Sequence, residues 1–127
     1  PNKVSFISQN WKKYPALIQD STLVTKIIDI EKTINGRAYY YIPKEKVLPF
    51  AGQIKTGDII LITTKKKGLD TAHVGIAIEN EGQIYLLHAS VSDKKVSITT
   101  ETLPDYLQRI TSHSGIMIGR LINFKSN

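Results

Sequence analysis

The residues of this 127-residue chain whose type and spacing could do chemistry are His73 and His88. Each lies in an apolar, strand-like stretch: Ala72-His73-Val74-Gly75-Ile76-Ala77-Ile78 and Tyr85-Leu86-Leu87-His88-Ala89-Ser90. Glu79-Asn80-Glu81-Gly82 between them has the composition of a hairpin turn. A two-residue loop at Asn80-Glu81 or a four-residue loop over 79–82 sets residue 78 against 83 and His73 against His88. The imidazoles are then expected on one sheet face with Cβ atoms about 4.5–5.5 Å apart; a three-residue loop would put them on opposite faces. Imidazole beside imidazole can serve a thiol nucleophile as general base and as the partner that orients it. Yet the chain has no cysteine. Other readings stay open on the residues alone. The pair can be a structural hydrogen bond. It can ligate a metal, although catalytic zinc usually takes three protein ligands, and only Asp70 or the distant His113 offers a third. A serine nucleophile is a weak reading, because none of Ser5, Ser8, Ser90 and Ser92 sits in a Gly-x-Ser-x-Gly setting.

The elements that must position the pair follow from periodicity. Phe6, Ile7, Trp11, Tyr14 and Leu17 recur at helical spacing, with a break expected at Pro15. Asp20-Ser21-Thr22 is a capping cluster. Leu23, Ile27, Ile30 and Ile34 form a stripe, and Asn35-Gly36 is a stop that tolerates the left-handed conformation. Beyond residue 36 strands and turns take over. Ala38-Tyr39-Tyr40-Tyr41-Ile42 is strand-like, 43–56 reads as an irregular connection, and strands are expected at 58–64, 72–79, 83–89 and 95–100. Thr102 caps a short helix with Pro104 in its first turn and Asp105 three residues on; Tyr106, Leu107 and Ile110 point from it to the core. Gly115 opens a last strand, Ile116 to Ile122. Val74, Ile76 and Ile78 read as the core face of their strand, and Gly75 and Ala77 as small residues that let a helix or ligand approach the histidine face. Helices first and an antiparallel meander after them make the fold class α+β.

Composition bounds the rest. The length fits one domain or part of one, with no internal repeat. The longest apolar runs fall far short of the roughly 20 residues of a membrane span, and no signal peptide is visible. Net charge is +6, carried mainly by lysine, with arginine only at 37, 109 and 120. So little arginine speaks against nucleic acid as a partner; Lys65-Lys66-Lys67 reads as a solvated loop, and the basic surface suits approach to an anionic polymer such as a cell wall.

At this point a resemblance enters. Gly57-Asp58-Ile59-Ile60, Gly68-Leu69-Asp70, His73-Val74-Gly75-Ile76 and Leu87-His88-Ala89-Ser90 resemble the NlpC-type papain-like cell-wall cysteine hydrolases. With Tyr41-Ile42-Pro43, Asp105-Tyr106-Leu107 and the strand from Gly115 to Arg120, the series over residues 23 to 122 resembles their N-acetylmuramoyl-L-alanine amidase-like branch. The resemblance implies a papain-like core with a five- to six-stranded antiparallel sheet. It implies His73 as general base and His88 as the residue that holds its tautomer. The cysteine then belongs to a missing N-terminal segment, so residues 1–127 would be the C-terminal part of a larger hydrolase domain, helical over 1–36 and a sheet with one short helix over 37–127. It implies peptidoglycan fragments or muropeptides as substrate, no cofactor or metal, and a place in the cell envelope, in the periplasm. The 127 residues alone would be inactive. Asp70, Thr71 and Ser90 are candidate substrate contacts, with a turn role equally open for the first two; the three tyrosines read as an aromatic wall or as packing, and Arg120 as a salt-bridge partner. The rival from a different class is a non-catalytic wall-binding module of the same fold, which the absent cysteine favours.

Overall fold

A computed structural model of the protein describes residues 3–122. The chain divides into two compact units: of the described residues, 3–40 with 65–70 form one, and 41–64 with 71–122 form the other.

The first unit is helical. Its elements are α1 (Phe6–Gln9), a 3₁₀ turn (Trp11–Lys13), α2 (Pro15–Gln19) and α3 (Thr22–Asn35). The helix expected over 6–17 is thus three short pieces. It breaks first at Asn10, whose side-chain amide donates to the Phe6 carbonyl at 2.9 Å, and again at Tyr14, extended ahead of Pro15. Asp20 caps α3 by accepting from the Thr22 backbone N–H at 3.0 Å. At the other end Gly36 stays right-handed, with φ −82°. Asn35 instead turns its side chain to both backbone groups of Val4, each at 2.8 Å. The inward stripe of α3 also differs from expectation: Ile30 is 53% exposed, and Glu31 is the buried residue of the helix. Its carboxylate accepts the N–H groups of Ile7 and Ser8, both at 3.1 Å, in the first turn of α1, where such groups lack helical partners. Lys66 lies over the Phe6 ring at 4.2 Å.

The second unit contains β1 (Ile42–Pro43), α4 (Lys44–Phe50), β2 (Ile59–Thr64), β3 (Thr71–Asn80), β4 (Gln83–Ser90), β5 (Lys95–Ile98), α5 (Leu103–Arg109) and β6 (His113–Gly119). Its six strands form one antiparallel sheet in the order β1-β6-β2-β3-β4-β5, and the fold is α+β. Of the tyrosine segment only Ile42 is in a strand, paired through the two-residue β1. The expected irregular connection contains α4, which is seated by the fully buried Val47.

The covered face of the sheet is the histidine face, the reverse of the expectation for β3. Val74 and Ile76 are 53% and 43% exposed, whereas Ala77, across from Leu86, is fully buried. Ile60 and Ile62 stand beside Gly75 and His73 on this face. Val47 of α4 and Leu103 and Leu107 of α5 close over them in one apolar cluster, each large side chain contributing about 1.5–3 kcal/mol by leaving water. Small residues do sit beside His73, because a Cβ on Gly75 would lie 2.5 Å from Leu86 Cδ1.

Candidate active site

The β3–β4 turn is Glu81-Gly82, with φ of +51° and +76°, and pairs Asn80 with Gln83 and Ile78 with Tyr85. That is the two-residue primed turn that matches strand twist, slid one residue along from the expected loop. The register therefore moves by two. Because the slip is even, the histidines keep a common face but stand diagonally, not directly opposite. Diagonal neighbours remain within reach of rings: His73 Nε2 and His88 Nδ1 share a hydrogen bond of 2.8 Å, with ring centroids 5.0 Å apart and planes at 90°. One of these nitrogens carries the proton and the other accepts it. In either case His73 Nδ1 is the nitrogen this bond leaves free. Burial, and secondarily the neighbouring His88, hold the pKa of His73 below the ordinary histidine value, so the ring is neutral at pH 7 and able to take up a proton.

Two residues that sequence reasoning did not place here complete the cluster. Tyr106 of α5 meets His88 edge-on at 5.6 Å, and His113, at the start of β6, lies 5.7 Å beyond it. Thr102 caps α5: its Oγ1 accepts from the Asp105 N–H, one half of the expected capping box, while the Asp105 carboxylate accepts from the Thr102 hydroxyl, not its backbone N–H. His113 is 5% exposed, and its Nδ1 has no hydrogen-bond partner among the described residues. Burial, then the nearby His73, push its pKa down. Tyr106 could have been found from the stripe Leu103, Tyr106, Leu107 and Ile110, an amphipathic ring within an apolar face. His113 carries no comparable signal.

All four rings line one cleft of about 920 Å³. Ser90, Ser92, Ser97 and Thr100 supply hydroxyl groups to its walls. Ser90 is therefore at the site, whereas Thr71 does not line the cleft and Asp70 belongs to the helical unit. Arg109 and Glu101 on the rim pair with each other at 2.6 Å. Away from the cleft, Arg120 grips the buried Asp58 with two bonds of 2.6 Å and the Gln53 carbonyl at 2.9 Å; the arginine holds the carboxyl below the usual carboxylate range. This is the salt-bridge role expected of Arg120, and it ties the end of β6 to the entry of β2. No group of three His, Cys, Asp or Glu side chains among the described residues is gathered to hold a metal, and no helix among them is long and apolar enough to cross a membrane.

The family model described as AmiA-like, N-acetylmuramoyl-L-alanine amidase-like, matches residues 2–116. An N-acetylmuramoyl-L-alanine amidase from Bacteroides uniformis is 37% identical with a TM-score of 0.81, and the match covers 92% of this chain and 50% of that one. A proposed xylanase from Bacteroides fragilis matches equally well, at 37% identity and TM-score 0.81 over 91% of this chain and 51% of its own. A Legionella pneumophila protein shares the fold at 24% identity and TM-score 0.51, with coverage of 78% and 40%. The chain thus spans about half the length of these two Bacteroides proteins. No curated protein matches it at a significant level.

Proposed function

The chain belongs to the AmiA-like, N-acetylmuramoyl-L-alanine amidase-like family, and from that premise we propose that it carries the histidine half of a cysteine hydrolase acting on an amide of peptidoglycan or a muropeptide. The observation that carries the reading is the 2.8 Å bond between His73 Nε2 and His88 Nδ1 in a hydroxyl-lined cleft. His88 fixes the ring of His73 and leaves Nδ1 to act as base. The nucleophile is a cysteine of a polypeptide segment outside these 127 residues; solved relatives twice as long and a sequence without cysteine support that assignment. The core is then papain-like, of the NlpC type.

The thiol gives its proton to His73 Nδ1, and the thiolate sulfur attacks the amide carbonyl carbon. The carbon–nitrogen bond breaks as the amine takes the proton back from His73, leaving a thioester. Water then gives a proton to His73, attacks the thioester and releases the carboxylic acid and the thiol. The bond favoured by the family is that between the muramoyl lactyl group and L-alanine. Ser90 is assigned to substrate, Asp70 to the loop leading into β3, and Thr71 to the first position of that strand. The workplace is the cell envelope, on its periplasmic side. A glycosidase reading is weaker, because such enzymes act through two free carboxyl groups, and Glu101 in this cleft is engaged by Arg109.

The test is digestion of purified peptidoglycan by the longer polypeptide, followed by mass spectrometry of the released peptides. Stem peptides with a free L-alanine amine are expected. His73→Ala should lower the rate about 10²–10⁴-fold, the range of general-base catalysis, and iodoacetamide should abolish it. The 127-residue chain alone should be inactive. Turnover by that chain, untouched by alkylation, would overturn the mechanism; wall binding by the longer polypeptide without turnover would make the protein a binding module.

A further inference from the structure

We propose that Tyr106, backed by His113, is a positioning residue that fixes the ring of His88 and through it the tautomer of His73. The inference rests on the reading of His73 as the base. Four rings follow one another across the covered face of the sheet: His73 to His88 at 5.0 Å, His88 to Tyr106 at 5.6 Å and Tyr106 to His113 at 5.7 Å. The first two contacts are close to perpendicular, at 90° and 83°, the edge-to-face geometry that aromatic rings favour.

Each outer ring is held by the fold. Tyr106 rides on a capped helix between the fully buried Leu103 and Leu107, and the Arg109 guanidinium covers its ring at 5.3 Å. His113 is anchored through its backbone N–H to the Ile110 carbonyl at 3.1 Å. No side-chain hydrogen bond among the described residues steadies the His88 ring beyond the one to His73, so the packed tyrosine ring is what limits its rotation. A buried imidazole that leaves Nδ1 without a partner among the described residues contributes shape at this position, as the wall behind Tyr106. If His88 turns, its Nδ1 leaves His73 Nε2 and the proton on His73 redistributes between the two nitrogens. The base would then present an N–H to the nucleophile in part of the molecules.

The test needs neither substrate nor nucleophile. Imidazole nitrogen shifts are recorded by NMR for His73 and His88 in the 127-residue protein. One tautomer is expected for His73, protonated on Nε2, with Nδ1 bare. Tyr106→Phe keeps the ring and should leave these shifts unchanged. Tyr106→Leu should replace the single tautomer of His73 with a mixture and move its midpoint up toward the ordinary histidine value of 6.5 as water enters. His113→Gln, which leaves Tyr106 in place, should give the same change in smaller degree and keeps the question answerable if Tyr106→Leu fails to fold. A pure, unshifted His73 tautomer in a folded Tyr106→Leu protein, or in His113→Gln should that be the only variant that folds, would overturn the inference. Failure of the catalytic reading shows elsewhere, as peptidoglycan cleavage that survives His73→Ala.

Discussion

Gly75 shows how little room the histidine face leaves. A Cβ there would come within 2.5 Å of Leu86 Cδ1 and 2.8 Å of the Leu87 carbonyl oxygen, and Leu86 is fully buried and cannot swing away. Gly75→Ala should therefore cost about 1–3 kcal/mol, the usual range for overpacking, read as a lower urea midpoint at unchanged slope. Asp58→Asn tests the other end of β2. The neutral amide cannot accept both Arg120 bonds and the Lys55 N–H bond of 2.8 Å, so a loss of about 1–3 kcal/mol is expected, while a change below about 0.5 kcal/mol would show the pair to be worth no more than a surface ion pair. The common face of the histidines could be read from the sequence because it depends only on turn parity. Their diagonal offset could not, since Asn80-Glu81 and Glu81-Gly82 both have turn chemistry and the choice between them rests on which residues take positive φ. Tyr106 and His113 lie 18 and 25 positions beyond His88 in the chain, and only helix docking and the β6 pairing bring them near it.

At the scale of elements, α3 depends on a charge that its sequence pattern hides. Glu31 is 6% exposed and holds the first turn of α1 through two backbone N–H groups. Glu31→Ala should cost about 1–3 kcal/mol, as for hydrogen bonds to a charged group, and speed amide exchange at Ile7 and Ser8 selectively; Glu31→Gln, which keeps an acceptor, should recover part of it. Equal exchange across α1 in variant and native protein would show that packing alone holds that helix. The central strands were legible from alternation and turn residues, within one or two positions of β2, β3 and β4. The face they bury was not. Both faces of β3 carry apolar or small residues, so its pattern does not say which side α4 and α5 cover. In the broken helix at 6–19 the interruption at Pro15 is legible and the one at Asn10 is not: spacing at three and four survives a chain of short turns, and the Asn10 side-chain bond that ends α1 leaves no mark in periodicity.

For the whole molecule, the buried titratable groups set how stability depends on pH. His73 and His113 are both held below the ordinary histidine value of 6.5, chiefly by burial. An unfolded chain therefore binds more protons than the folded one once pH falls toward 6.5, so stability is fully present above that value and declines as pH drops through it. One proton per histidine caps each contribution to the slope at about 1.4 kcal/mol per pH unit. Asp58 acts lower. Arg120 depresses its pKa below 3.8, so its contribution is intact above 3.8 and lost as pH falls through the folded value. Two separate declines are expected when urea midpoints are followed from pH 8 to pH 3. His113→Gln should shrink the first and leave the second, and Asp58→Asn should do the reverse. A first decline of undiminished size in the double variant His73→Gln, His113→Gln would place its origin outside the ring cluster, and with it the case that these imidazoles are kept neutral by the fold.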